Sequence, residues 1–112
     1  MVIELAKNPQ SILYDLTPRK VNLWHAWTGI ATEAGEIGDP IKAHVIYNRP
    51  LNLENIIEEM GDMEFYLEQL RQEIGVTRND VVLHNMSKLG IRYAQGYSDE
   101  QANKRTDKKE IE

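Results

Sequence analysis

Thr32-Glu33-Ala34-Gly35-Glu36-Ile37-Gly38-Asp39 is answered further along the chain by Ile57-Glu58-Glu59-Met60-Gly61-Asp62. In each stretch two carboxylates stand three residues apart, Glu33 with Glu36 and Glu59 with Asp62. On a helix that spacing projects both from one face, one turn apart. Two such turns laid side by side make a cage of four acids. Like charges held that close raise each other's pKa, so the arrangement is unfavourable unless something positive lies between them. With oxygen ligands alone and no Cys in the chain, the cation that suits the cage is Mg2+, with Mn2+ also compatible, rather than zinc or copper. Acid pairs at this spacing also decorate solvated helix faces. Glu33 and Glu36, however, sit among Gly29, Ile30, Ala31, Ala34, Gly35 and Ile37, a stretch too apolar for a free surface. Partly buried charges are normally paired or bound to a cation.

Outward from the acids the pattern is helical on both sides. Thr17-Pro18 starts the first main helix, Thr capping the orphan amides and Pro tolerated at the first helical position. It is predicted to run from Pro18 to about Tyr47, with a buried stripe of Val21, Trp24, Thr28, Ala31, Ala34, Ile37 or Gly38, Ile41 and Val45. Pro40 removes the hydrogen bond to the Glu36 carbonyl and predicts a bend. The glycines beside the acids read differently: small residues let backbone and ligand approach the carboxylates. Asn48 to Asn52 is a loop, and Asn52 caps a second main helix from Leu53 to Ile74. There Ile56, Met60, Met63, Leu67, Leu70 and Ile74 form a seam, with Glu59, Asp62 and Tyr66 on its flank, and Gly75 ends the helix. Thr77-Arg78-Asn79-Asp80 has capping-box spacing and opens a third main helix to about Tyr93, with Val82, Met86 and Leu89 inward. Before all of these, Ile12, Leu13 and Leu16 suggest one brief helix packed on the main body. After them, Ala94-Gln95-Gly96-Tyr97 breaks the third helix, and Ser98 to Glu112 is a charged stretch expected as a short helix or partly ordered arm.

The expected class is therefore all-α. At 112 residues the core is of limited depth, and so short a set of helices often completes it by pairing with a copy of itself. A net charge of −5 argues against general affinity for a nucleic acid polymer or an anionic membrane. The absence of Cys fits a reducing cytoplasm, and no apolar run reaches membrane-spanning length.

A carboxylate-held magnesium usually neutralises phosphate oxygens, which directs attention to cations. Lys88 and Arg92, one turn apart, are candidate clamps for phosphate charge beside Asn85, although exposed cations of this kind need no special explanation. Trp24, His25 and Trp27 precede the first acid pair by about two turns. Aromatic residues and a lone His are most often structural. Trp24 and Trp27 cannot both face one narrow stripe, so Trp24 or His25 could line a pocket for a flat base, with Tyr66 as another wall. Other templates fit worse: there is no Glu-x-x-His, no Gly-rich phosphate loop and no nucleophilic Cys.

Leu23-Trp24-His25-Ala26 leading into Glu33-Ala34-Gly35-Glu36, then Glu58-Glu59-Met60-Gly61-Asp62, then Asn85-Met86-Ser87-Lys88-Leu89 and Arg92-Tyr93, resembles the MazG-like all-α nucleoside triphosphate pyrophosphatases. The likeness runs from about Pro18 to Tyr97 and is nearest to the short, single-domain versions often carried by phages. It implies a MazG-like domain over 1–97 followed by the charged arm over 98–112, and a helical bundle completed by homo-oligomerisation as a dimer or dimer of dimers. It implies hydrolysis of a nucleoside triphosphate between the α and β phosphates, giving a monophosphate and pyrophosphate. Glu33, Glu36, Glu59 and Asp62 would hold Mg2+, and Lys88 and Arg92 would meet the phosphates. A metal-bound water would attack, with Glu36 helping to take its proton. Pro40 departs from the pattern, since an uninterrupted helix is expected there. Two alternatives stand beside this reading: a pyrophosphohydrolase for a related phosphoribosyl nucleotide, and a helical dimer that binds nucleotide or protein without turning it over.

Overall fold

Capping chemistry sets where each helix begins. A single turn, α1 (Val2–Leu5), precedes α2 (Pro9–Asp15), whose first amides are met by Asn8, its side chain accepting from the Gln10 amide at 2.9 Å. Thr17 accepts from the Lys20 amide at 3.2 Å and opens α3 (Pro18–Val45). Asn52 does the same for the Asn55 amide at 3.1 Å and opens α4 (Leu53–Ile74). Gly75 closes α4 at φ 75°, a left-handed conformation that suits glycine. Thr77 and Asp80 complete a reciprocal capping box, with bonds of 2.9 and 3.0 Å, at the start of α5 (Arg78–Arg92). These helices belong to a computed structural model that describes residues 2–93, and no strand occurs among the described residues. The class is all-α. The break expected at Ala94-Gln95-Gly96-Tyr97 and the charged arm from Ser98 lie outside the described residues.

One expectation is corrected at this level. The N-terminal region carries two short helices rather than one, because Asn8-Pro9 repeats the cap-then-proline device of Thr17-Pro18. The helix that holds Pro40 continues past it to Val45, near the expected end at Tyr47, and Pro40 is one of the two buried residues among those described. Missing one amide does not end a helix whose flanking turns are packed.

By contacts the chain divides into two compact units, Met1–Gly75 and Val76–Glu112. In the first, α3 and α4 pack antiparallel. Asn22 Nδ2 donates to Glu73 Oε2 at 3.2 Å, His25 meets Gln69 and Tyr66, and the Tyr66 ring lies against Gly29. Carried along both helices, this register brings Glu33 and Glu36 opposite Glu59 and Asp62. The face of α3 turned towards α4 is therefore Leu23, Ala26, Gly29, Ile30, Glu33, Ile37, Pro40 and Ala43, all buried or half-buried. This corrects the stripe expected from spacing. Val21, Trp24, Ala31, Ala34, Ile41 and Val45 are exposed, Trp24 at 66% and Val45 at 67%. On α4 the seam is half-covered: Ile56, Met63, Leu67 and Leu70 are half-buried, but Met60 and Ile74 are open. Helix α3 is apolar around much of its circumference, so spacing marked one apolar face while packing used another.

In the second unit α5 leaves Val82, Met86 and Leu89 exposed. No helix of the described residues is long and apolar enough to cross a membrane.

Candidate metal centre

Glu33 projects from the inward face of α3, and Glu59 from the facing side of α4. One carboxylate oxygen from each of Glu33, Glu59 and Asp62 lies within 4.8 Å of the others. Glu33 and Glu59 are half-buried and Asp62 is exposed, so the group sits at the mouth of the interhelical groove. Glu36, one turn beyond Glu33, is exposed and reaches the same cluster through Glu59.

The electrostatics follow from this crowding. The carboxyl of Glu36 is raised above its ordinary value, first by its hydrogen bond to Glu59, then by the charge of Glu59 and partial desolvation. Glu59 is raised as well, first through its hydrogen bond with Glu33 and then by desolvation, with the Glu33 and Asp62 charges adding to it. Two carboxylates bond to each other only when one of them holds a proton. One oxygen each of Glu33 and Glu59 is buried and lacks a hydrogen-bond partner. Buried polar atoms in folded proteins are rarely left so, and in an all-acid setting a proton, a water or a cation is what satisfies them. Three or four carboxylates, open to solvent on one side, suit a hard cation that keeps some of its waters.

The backbone beside the acids is accessible. A Cβ built on Gly35, Gly38 or Gly61 meets nothing within 4 Å, whereas at Gly29 it would overlap the Tyr66 ring. Gly29 is thus a packing glycine, and the other three face open space.

The aromatic residues separate into two groups. Trp24 meets Trp27 at a tilt of 48° with centroids 5.1 Å apart, and it lines an apolar hollow of about 470 Å³ with Ile12, Leu16, Lys20 and Val21. His25 and Tyr66 meet edge to face at 5.8 Å, and Tyr66 also meets Phe65. His25 Nδ1 lies 3.4 Å from Gln69 Nε2, a partner that spacing did not single out. Tyr66 and His25 are therefore brought together, and Trp24 is engaged elsewhere. Asn85, Lys88 and Arg92 lie on α5 at spacings of three and four, on one side of that helix. Arg92 places its guanidinium carbon 5.7 Å from the Tyr93 ring centre, within cation–π range.

Comparison with protein-family models, curated proteins and solved structures gave no match for this chain.

Proposed function

We propose that the protein is a Mg2+-dependent nucleoside triphosphate pyrophosphohydrolase, cleaving the α–β phosphate bond of an NTP or dNTP to give the monophosphate and pyrophosphate. One observation carries the reading: carboxylates from two helices converge within 4.8 Å, although their mutual repulsion opposes it. The likeness to the MazG-like pyrophosphatases in three separate segments supplies the reaction.

Bound at Glu33, Glu36, Glu59 and Asp62, Mg2+ or Mn2+ would neutralise phosphate oxygens and acidify a water. Glu36 is the proposed general base. Like Asp62 it is an exposed member of the cluster, so it is open to a water at the edge of the site. The water oxygen bonds to the α phosphorus, its proton passes to Glu36, and the bridging oxygen leaves with the electron pair as pyrophosphate. Lys88 and Arg92, with Asn85, are the proposed phosphate ligands, on the strength of their one-sided placement on α5 and the resemblance. The exposed stripe from Val21 to Val45 is the proposed seat of a second copy, completing a homodimer or a larger homo-oligomer. With that substrate class, the proposed location is the cytoplasm.

The test is pyrophosphate release from a panel of NTPs and dNTPs in Mg2+ and in EDTA. The expected result is turnover only with divalent cation, falling about 10²–10⁴-fold in Glu36→Gln. A panel silent with both Mg2+ and Mn2+ overturns the hydrolase, and nucleotide binding under those conditions would mark a non-catalytic binder.

A further inference from the structure

At the end of the α3–α4 hairpin two adjoining hollows share Asp39, Ala43 and Arg49. One, of about 250 Å³, extends to Lys42 and Tyr47, and the other, of about 410 Å³, extends over Pro40, Pro50, Asn52 and Asn55. Together they form a shallow cleft, open to solvent, with room for a single flat heterocycle to lie against it. The backbone of Arg49 is tied at both its amide and its carbonyl. Its amide donates to the Ala43 carbonyl at 3.1 Å, and its own carbonyl accepts from His44 Nδ1 at 2.7 Å. Asn48 turns the chain there at φ 51°, and Pro50 restricts Arg49 from the other side. Among the described residues no ion pair engages the Asp39 carboxylate or the Arg49 guanidinium, although both line the one cleft. The oxygen of Asn52 is occupied by the Asn55 amide, which leaves its NH2 group as a donor.

We propose that this cleft reads the base of the substrate and that the base is guanine. A carboxylate accepts two hydrogen bonds side by side, and only guanine presents two adjacent donors, N1–H and the N2 amino group. Adenine and cytosine put an acceptor beside their amino group, and uracil puts carbonyls on both sides of its N–H, so each would face Asp39 with a lone pair. Guanine also offers O6 and N7, the pair of acceptors that an arginine fork matches. Tyr47, exposed beside Arg49, supplies a ring for stacking. The position suits the rest of a nucleotide. Asp39 lies one turn beyond Glu36 on α3 and Asn55 one turn before Glu59 on α4, an axial step of about 5.4 Å from the acid cluster. Sugar and phosphates leaving the cleft along the interhelical groove therefore run towards those acids. The Trp24, His25 and Tyr66 set lies on the opposite side of the acids. Tyr66 is already packed on Gly29, His25 and Phe65, and the hollow beside Trp24 offers only Lys20 as a polar group.

The assignment rests on the pyrophosphohydrolase reading for its purpose but not for its test. Binding of GMP, AMP, CMP and UMP to the full chain is measured in EDTA by titration calorimetry, with amide NMR shifts locating the contact. GMP is expected to bind roughly tenfold or more tighter than the others, with shifts centred on residues 39–55. Arg49→Met lowers that affinity by a similar factor. Asp39→Asn exchanges an acceptor for a donor and moves the preference from guanine towards adenine, an effect that mere disturbance of the loop would not produce. Both variants keep whatever magnesium-induced rise in melting temperature the parent shows, which reports intact folding. Equal binding of all four monophosphates, or a guanine preference untouched by both variants, overturns the assignment. If GMP binds through Asp39 while no triphosphate is hydrolysed, the cleft stands and the hydrolase falls. If hydrolysis proceeds with no base preference, the hydrolase stands and the cleft falls.

Discussion

Glu36 and Glu59 carry proton affinities that their surroundings, not their side-chain type, determine. Both are raised by neighbouring carboxyls, so the folded chain binds protons more tightly than the unfolded chain at these positions. Their contribution is fully present below the ordinary value of 4.5 and is lost as pH rises through their elevated folded values. In metal-free buffer the melting temperature is therefore expected to fall as pH is raised from about 4.5 towards neutrality, and Mg2+ should restore the loss, as thermal unfolding with and without EDTA will show. Glu59→Gln tests the same balance from the other side. It relieves repulsion, so it should raise the melting temperature without metal and remove the magnesium-induced shift. A variant that leaves that shift unchanged would remove Glu59 from the cation site.

Helix α3 is defined by a cap it shares in kind with its neighbours and by glycines that differ in purpose. Gly29→Ala pushes a methyl group into the Tyr66 ring, an overpacking that typically costs about 1–3 kcal/mol, more than the roughly 0.5–1 kcal/mol that alanine gains in a helix. Urea unfolding is expected to show a net loss. Gly35→Ala meets open space and should stabilise the isolated chain by ~0.5–1 kcal/mol. On α5 the capping box gives a separate test. Asp80 is held below its ordinary range chiefly by the Thr77 amide, so its support is present above 3.8 and is lost as pH falls through its lowered folded value. Thr77→Ala should cost ~1 kcal/mol at neutral pH, measured as a lower denaturation midpoint.

The first unit, taken as a body, leaves a surplus of apolar surface. Ala26 is the only hydrophobic residue fully buried among those described, while Val21, Trp24, Trp27, Ile41 and Val45 are exposed along α3. An unshielded stripe of that length is rare on a stable monomer. A concentration-dependent mass is expected in sedimentation, and Trp24→Glu should shift it towards the monomer by placing a charge in the stripe. A monomer at every concentration, with parent and variant alike, would remove the second copy from the proposal.

Most of the helix boundaries were legible in the residues because capping is local. Thr17-Pro18, Asn52, Gly75 and Thr77 with Asp80 each satisfy amides or carbonyls within a few positions of themselves, and the observed helices begin and end there. Asn8-Pro9 carried the same signal before α2. The two acid pairs were legible for a similar reason, since a spacing of three needs only a helix to put both on one side. Which side of α3 turned inward was not. Ala, Ile and Trp occur around much of that helix, so burial could use more than one stripe, and only the approach of α4, fixed by the Tyr66 ring against the bare backbone of Gly29, selected one. That choice decided that Glu33 would meet Glu59, and it left Asp39 and Arg49, ten positions apart and without a shared motif, lining one cleft. Such meetings depend on how two helices register against each other, a property of the packed pair that neither helix carries alone.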